Sequence, residues 1–252
     1  MSTTKKSVPE AAIFDLDGVI TDTAVIHFRA WKETFDALLE RREGPGFRPF
    51  EHDRDYVPYV DGKPRYDGVA AFLESRGIEL PHGDASDEPG DSTVCAVGNA
   101  KNKRFREIVL GGDIPVFEST VKIVDELRER GVRCGVASSS RNCRFVLESA
   151  GLRSRFETVV DGTDSRELGL NGKPAPDIFV TACERLDSDP TRSMMVEDAY
   201  SGVEAGRNGS FGFVLGIARS VDPEGLLERG AHRVVSDMSE IGVEDIVKWF
   251  AR

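Results

Sequence analysis

No stretch of this 252-residue chain approaches the length of a transmembrane helix, so no membrane partner is expected. The first ten residues, Met-Ser-Thr-Thr-Lys-Lys-Ser-Val-Pro-Glu, lack the apolar segment of a signal peptide and read as a frayed tail. The four cysteines (Cys95, Cys134, Cys143, Cys183) are scattered, with neither a CxxC pair nor a metal-ligand spacing. Reduced, mostly buried thiols in a cytoplasmic protein are the expectation. Basic charge is scarce: 33 Lys and Arg stand against 44 Asp and Glu, a formal charge of −11. That balance argues against a general nucleic-acid binder but leaves room for an anionic substrate in a locally basic site. Internal repeats and low-complexity tracts are absent.

What is present suits a globular chain of one large or two smaller domains, with 39% hydrophobic and 31% charged residues. Ala11 to Phe14 reads as a buried strand that stops at Asp15 and Asp17, where Gly18 breaks it. Ala24, Phe28, Trp31, Phe35, Leu38 and Leu39 then recur at three- and four-residue spacing and predict a helix over 22–43. Residues 47–66 have no steady period and read as loop with short helical turns. Helices are expected over 67–76 and 95–110, with exposed loop over 81–93.

From residue 114 the pattern alternates. Helices are predicted over 119–130, 141–150, 177–186, 202–208 and 239–250. Strands are predicted over 132–137, 158–161, 193–196, 211–215 and 233–235. Alternation of this kind implies an α/β fold with a doubly wound, mostly parallel, Rossmann-like sheet. Because residues 24 to about 112 are helical and interrupt it, the expected organisation is a core of residues 1–22 and 113–252 with an inserted α-helical cap domain, 23–112.

Several strand ends are polar. Asp15 and Asp17 need a cation or a proton to coexist, and a hard cation takes carboxylate and carbonyl oxygens. Ser138-Ser139-Ser140 offers hydroxyls and backbone N–H groups just before a helix start. Lys173 stands on a loop stiffened by Pro174 and Pro176, and Glu197-Asp198 ends another strand with two acids. Singly, each has an ordinary structural role as helix cap, surface turn or acidic strand end. Gly202-Val-Glu-Ala-Gly206-Arg-Asn-Gly209 lacks the order of a dinucleotide fingerprint, and helix–strand packing accounts for its glycines.

Together, and in this order, these segments resemble the four motifs of the haloacid dehalogenase superfamily of phosphotransferases, and the likeness covers nearly the whole chain. Within it the β-phosphoglucomutase family is most similar, through Phe14-Asp-Leu-Asp-Gly-Val, His27-Phe-Arg-Ala-Trp31-Lys, Ser138-Ser-Ser-Arg-Asn142, Gly172-Lys173-Pro-Ala-Pro-Asp177 and Val196-Glu-Asp198. Gly62-Lys-Pro-Arg65 is similar to that family's substrate loop and Lys101-Asn102 to its cap lysine. Residues 40–60 and 79–93 look longer than in compact members.

The resemblance implies Asp15 as nucleophile forming an aspartyl-phosphate and Asp17 as general acid and base. It implies Mg²⁺ held by Asp15, the Asp17 carbonyl and Asp198, with Glu197 adjacent or acting through water. Phosphate and sugar would be bound by Ser138, Ser139, Asn142 and Lys173, and from the cap by His27, Trp31, Gly62, Arg65 and Lys101. The implied partner is a small sugar phosphate, with no nucleic acid and a monomer or weak oligomer. A mutase interconverting β-glucose 1-phosphate and glucose 6-phosphate, a sugar-phosphate phosphatase and a non-catalytic ligand-binding domain all share this scaffold. By themselves Trp31 reads as cap core, Lys101 as a solvated face residue and His27 as a helix-surface histidine.

Overall fold

The computed structural model describes residues 8–61, 63–112 and 114–250. Most of the expected tail lies outside them, but Pro9 is buried and Glu10 is tied down, its N–H donating to the Arg192 carbonyl at 2.9 Å. The chain divides into two compact units, Met1–Asp22 with Ile114–Arg252, and Thr23–Asp113.

Strand β1 (Ala11–Phe14) is buried at all four residues. The helical unit follows, with α1 (Thr23–Glu43), a π-helical turn (His52–Tyr56) running into α2 (Val57–Tyr59), α3 (Arg65–Ser75) and α4 (Val94–Leu110). Its core is aromatic: Phe35 packs on Phe72 with ring centroids 4.1 Å apart and on Phe50 at 5.0 Å, and Trp31 and Tyr56 join them. That cluster explains how residues without periodicity are fixed. Phe50 is buried as an anchor, its N–H donating to Asp36 Oδ1 at 2.7 Å and its carbonyl accepting from Lys32 Nζ at 2.8 Å. Asp55, also buried, pairs with Arg54 and Arg76, both at 3.0 Å.

The other unit continues with α5 (Glu118–Glu129), β2 (Arg133–Ala137), α6 (Cys143–Ser149), β3 (Thr158–Val160), α7 (Gly162–Leu168), α8 (Asp177–Arg185), β4 (Ser193–Glu197), α9 (Tyr200–Asn208), β5 (Phe213–Ile217), α10 (Pro223–Glu228), β6 (Arg233–Val235) and α11 (Val243–Phe250). Six strands form one parallel sheet in the order β3-β2-β1-β4-β5-β6. The order reverses between β1 and β4, and in open α/β sheets the crevice beyond the carboxyl ends at such a point binds ligands. No described helix is long and apolar enough to cross a membrane.

Several boundaries differ from the pattern. Helix α6 starts at Cys143 rather than 141, because Ser138 and Ser140 side chains take the backbone N–H groups ahead of it. Strand β5 lies two residues later than expected. The closing helix is split: a 3₁₀ turn at Met238–Glu240 precedes α11, and Ile241 between them is extended. Helices α7 and α10 are additions. Both are short and carry too little apolar repeat to be seen, and capping holds them: Asp161 makes a capping box on α7, and Asp222 caps α10 ahead of Pro223.

The α7 cap belongs to an ion network behind β3. Asp164 Oδ2 accepts from the Asp161 N–H at 3.0 Å and from Arg144 Nη2 at 2.6 Å, and Oδ1 accepts from Arg185 Nη2 at 2.8 Å. Burial pushes the Asp164 carboxyl up, but these hydrogen bonds and the Arg144 charge outweigh it and hold the pKa at about 2, against an ordinary 3.8. The unfolded chain therefore takes up a proton before the folded one, and the stabilisation is complete above pH 4 and lost as pH falls towards 2. Asp164→Asn should cost ~1–2 kcal/mol at pH 7, discounted because both arginines stay partly in water, and chemical denaturation should show the difference from wild type closing between about pH 4 and 2.

Candidate active site at the strand ends

The parallel register brings the acids together. Phe14 pairs with Val136 on one side and Val196 on the other, and the Asp15 N–H donates to the Val196 carbonyl at 3.0 Å. Asp15 thus follows β1 beside Ala137-Ser138 on one neighbour and Glu197-Asp198 on the other. One oxygen from each of Asp15, Glu197 and Asp198 lies within 4.8 Å of the others. Asp15 is 5% and Glu197 0% exposed. Lys173 reaches them from its loop, donating from Nζ to Asp15 Oδ1 at 2.7 Å and to Glu197 Oε1, with its ammonium 5.0 Å from the centre of the Phe179 ring. The second oxygen of Glu197 accepts the Ala199 N–H at 2.6 Å.

The electrostatics follow from burial. Desolvation first, then the charges of Glu197 and Asp17, push Asp15 up to about 7 although Lys173 opposes them. Asp198 is pushed up to about 8 by burial and by the charges of Glu197 and Asp15. Burial works against the Lys173 charge, but Asp15 and Glu197 outweigh it and hold that group protonated, well above its ordinary range. Three acids share one ammonium, so Asp15 and Asp198 hold protons to about neutral pH that a bound cation would displace. The cluster's donors are all oxygen, the type a hard divalent cation takes. Gly18 supports the same reading: at φ +82° its missing Cβ would lie 1.9 Å from Asp198 Oδ2, so only glycine lets that carboxylate stand where it does.

The remaining residues fall into separate places. Asp17 is half-buried and bridges to Thr21; its carboxylate is outside the three-acid group, yet its charge acts on Asp15 and Asp198. Ser138 is buried and its Oγ accepts the Ser140 N–H at 3.1 Å. Asn142 is buried at the start of α6, where its side chain makes no cap, whereas Ser139 is exposed. In the helical unit, Lys101 is 5% exposed and donates to His27 Nδ1 at 2.6 Å, its ammonium 4.8 Å from the Trp31 ring centre and 5.2 Å from that of Phe105. Lys101 is therefore not a solvated face residue. Its stem lies in an apolar wall and its head is held by two rings and an imidazole. His27 stacks on Phe105 at 4.4 Å, and burial together with the Lys101 and Arg65 charges holds it well below its ordinary pKa, as a neutral acceptor. Trp31 lies in the aromatic core of the helical unit. Arg65 opens α3 and donates from Nη2 to Asn102 Oδ1 at 2.9 Å. Gly62 lies outside the described residues.

Gly202 has more than the packing role its sequence context implied. A Cβ there would fall 1.9 Å from Glu197 Oε1, so the first turn of α9 admits the buried carboxylate only at glycine, whereas Gly206 does serve helix–strand packing against Met195 and Val214. The signal available in sequence was the spacing, one helical turn after Glu197-Asp198. All four cysteines are buried thiols.

The α/β sheet thus gathers three carboxyls and a lysine at its topological switch point, where sheets of this kind bind ligands. A family model for haloacid dehalogenase-like hydrolases matches residues 9–209. The chain is 44% identical to a β-phosphoglucomutase of Mycobacterium bovis over 237 residues, covering 92% of this chain and 90% of that protein. It is 30% identical to the β-phosphoglucomutase of Bacillus subtilis, covering 93% and 92%. In fold it is similar to a β-phosphoglucomutase structure from Clostridium difficile, with TM-score 0.71 and 23% identity over 96% of this chain and 97% of that one. The protein belongs to the haloacid dehalogenase-like hydrolase family and is an enzyme of that superfamily, with β-phosphoglucomutases among its relatives.

Gly202→Ala should be destabilising by ~1–3 kcal/mol, the usual cost of overpacking, as read by thermal denaturation. Gly46→Ala, where an added Cβ meets nothing within 4 Å, is the control and should leave the melting temperature unchanged.

Proposed function

We propose that the protein is a Mg²⁺-dependent β-phosphoglucomutase that interconverts β-D-glucose 1-phosphate and D-glucose 6-phosphate through a bisphosphate. The observation that carries the phosphotransfer chemistry is the Lys173 ammonium shared by Asp15 and Glu197 next to Asp198. The likeness to β-phosphoglucomutases across nine-tenths of the chain supports a sugar as acceptor.

In this reading an Asp15 carboxylate oxygen attacks phosphorus and the bond from phosphorus to the leaving oxygen breaks. Asp17 gives its proton to that oxygen and later takes one from the incoming hydroxyl, whose oxygen bonds to phosphorus as the bond from phosphorus to the Asp15 oxygen breaks, so that the Asp15 carboxylate and the Asp17 acid are both restored. Asp15 and Asp198, with the Asp17 carbonyl, would hold the cation. Glu197, whose two oxygens already accept from Lys173 and the Ala199 N–H, contributes charge. Bound there, Mg²⁺ supplies positive charge that offsets the transferring phosphoryl oxygens. Ser138, Ser139, Asn142 and Lys173 bind those oxygens.

The helical unit Thr23–Asp113 acts as the cap and sets which acceptor is used. Arg65 is the ligand of the distal phosphate, since guanidinium binds phosphate oxygens in pairs and Asn102 holds its plane. Lys101, His27 and Trp31 form one preorganised group for the sugar, because a buried ammonium already held by an imidazole loses little freedom on binding.

The test is turnover of β-glucose 1-phosphate with Mg²⁺ and catalytic β-glucose 1,6-bisphosphate. Glucose 6-phosphate with little free phosphate is expected; inorganic phosphate as main product would make the enzyme a phosphatase, the reading closer to the family's hydrolase description. Asp15→Asn should lower turnover by roughly 10³-fold or more while magnesium still binds, and unchanged turnover would dismiss the nucleophile. Arg65→Ala should cost about 10- to 100-fold on the sugar bisphosphate but less than about 3-fold on a small aryl phosphate, which has no distal phosphate. Equal losses on both would remove Arg65 from that role.

A further inference from the structure

Arg219 stands two residues beyond the end of β5, outside every motif discussed above, yet its side chain is only 19% exposed. Its Nε donates to the Gly18 carbonyl at 2.7 Å, its Nη2 donates to Asp237 Oδ2 at 3.1 Å, and its guanidinium lies 3.4 Å from the centre of the Phe117 ring. Each of those partners is itself fixed. Gly18 also donates its N–H to the Thr21 carbonyl at 2.8 Å, and its Cβ-less face admits the Asp198 carboxylate. Asp237 caps the Met238–Glu240 turn, its Oδ1 accepting the Ser239 N–H at 2.8 Å. Burial pushes its carboxyl up, but hydrogen bonds from Ser239, Ser119 and Arg219 outweigh that and hold it far below the ordinary range. Phe117 lies on the segment that returns from the helical unit. Its N–H donates to the Ile20 carbonyl at 2.9 Å, Thr21 bridges to Val116, and the Asp22 N–H donates to the Pro115 carbonyl at 2.9 Å.

We propose that Arg219 is a positioning residue that pins the Asp15–Gly18 turn to the return segment and the C-terminal turn, and so keeps Gly18 against Asp198. The chemistry favours arginine. The guanidinium fork presents two N–H groups in fixed directions and a flat face for a ring, and an ammonium supplies none of these together. A backbone carbonyl in a tight turn accepts a charge-assisted hydrogen bond, which is stronger than one between neutral groups. Without it, among the described residues, Gly18 keeps the hydrogen bond from its N–H to Thr21 and its carbonyl loses the Arg219 donor, and a glycine at positive φ has other conformations open to it. Any rotation there moves the residue against which Asp198 is placed. The consequence for catalysis rests on the reading of Asp15 as nucleophile; the consequence for the acidic cluster does not.

The experiment uses the full chain and measures three things for wild type, Arg219→Met, Arg219→Lys, Asp237→Asn and the double variant that combines Arg219→Met with Asp237→Asn. They are melting temperature, magnesium affinity by titration calorimetry with magnesium chloride, and kcat and KM on β-glucose 1-phosphate with the bisphosphate. Arg219→Met is expected to lower kcat by about 30-fold with KM changed less than about 3-fold, and to weaken magnesium binding by about 5-fold, since an ångström of misplacement costs up to ~10²-fold. Arg219→Lys should recover only part of both losses, and the double variant should be no worse than Arg219→Met, because Asp237 acts through Arg219. Folded Arg219→Met with wild-type kcat and magnesium affinity, whatever its melting temperature, would overturn the proposal. Should that variant not fold, the same readouts on Arg219→Lys and Asp237→Asn decide it. A wild type that turns over no sugar phosphate would overturn the proposed function alone, and the magnesium affinities would still decide the role of Arg219.

Discussion

The Lys173 ammonium meets two buried carboxylates at the place where the sheet changes direction, and most of the core is arranged to make that meeting possible. Burying an ionised carboxylate costs several kcal/mol unless it is paired and hydrogen-bonded. Here Asp15 and Glu197 share Lys173, Glu197 adds a backbone N–H, and Asp198 is pushed up to about 8 by burial and by the charges of Glu197 and Asp15. The residues around the acids are small for the same reason. Gly18 makes way for Asp198 and Gly202 for Glu197, so the charged groups approach without side chains intervening. Three carboxyls gathered on one lysine, two of them holding protons near neutral pH, offer oxygens that a cation would take in exchange for those protons.

The helical unit solves a different problem with different means. Its core is built from stacked and tilted aromatic rings, and Lys101 is set into their edge, over Trp31 and Phe105 and against a neutral His27. A lysine so placed is fixed by its surroundings and no longer moves freely in water. The long segment between α1 and α3 is held to the same core by Phe50 and by the Asp55 pairs with Arg54 and Arg76. Length in this part of the chain is therefore ordered structure.

Much of this was legible before any coordinates. The strand at Ala11–Phe14, the helix from Thr23, the parallel alternation after residue 114 and the polar strand ends all leave patterns in sequence, because period and breaker residues are local properties. The misreadings have local causes too. Helices α7 and α10 are made by their caps and show no apolar stripe, and the start of α6 yields to serine side chains that compete for backbone N–H groups. Lys101, between other basic residues on α4, looks like solvated surface until the ring wall beside it is seen.

By itself, the sequence determined the fold class, the order of the motifs and the identity of the acids, serine and lysine that the strand ends present. Those depend on residue type and spacing along the chain. Tertiary structure alone decided which of them touch. The pairing of Lys173 with both Asp15 and Glu197, the hold of Lys101 on His27 and the grip of Arg219 on Gly18 join residues 24 to 201 positions apart. Even the fit of Gly202 beneath Glu197, between near neighbours, depends on how α9 leaves the strand. Contacts of that kind are set by sheet register and by packing in three dimensions, and no period in the chain encodes them.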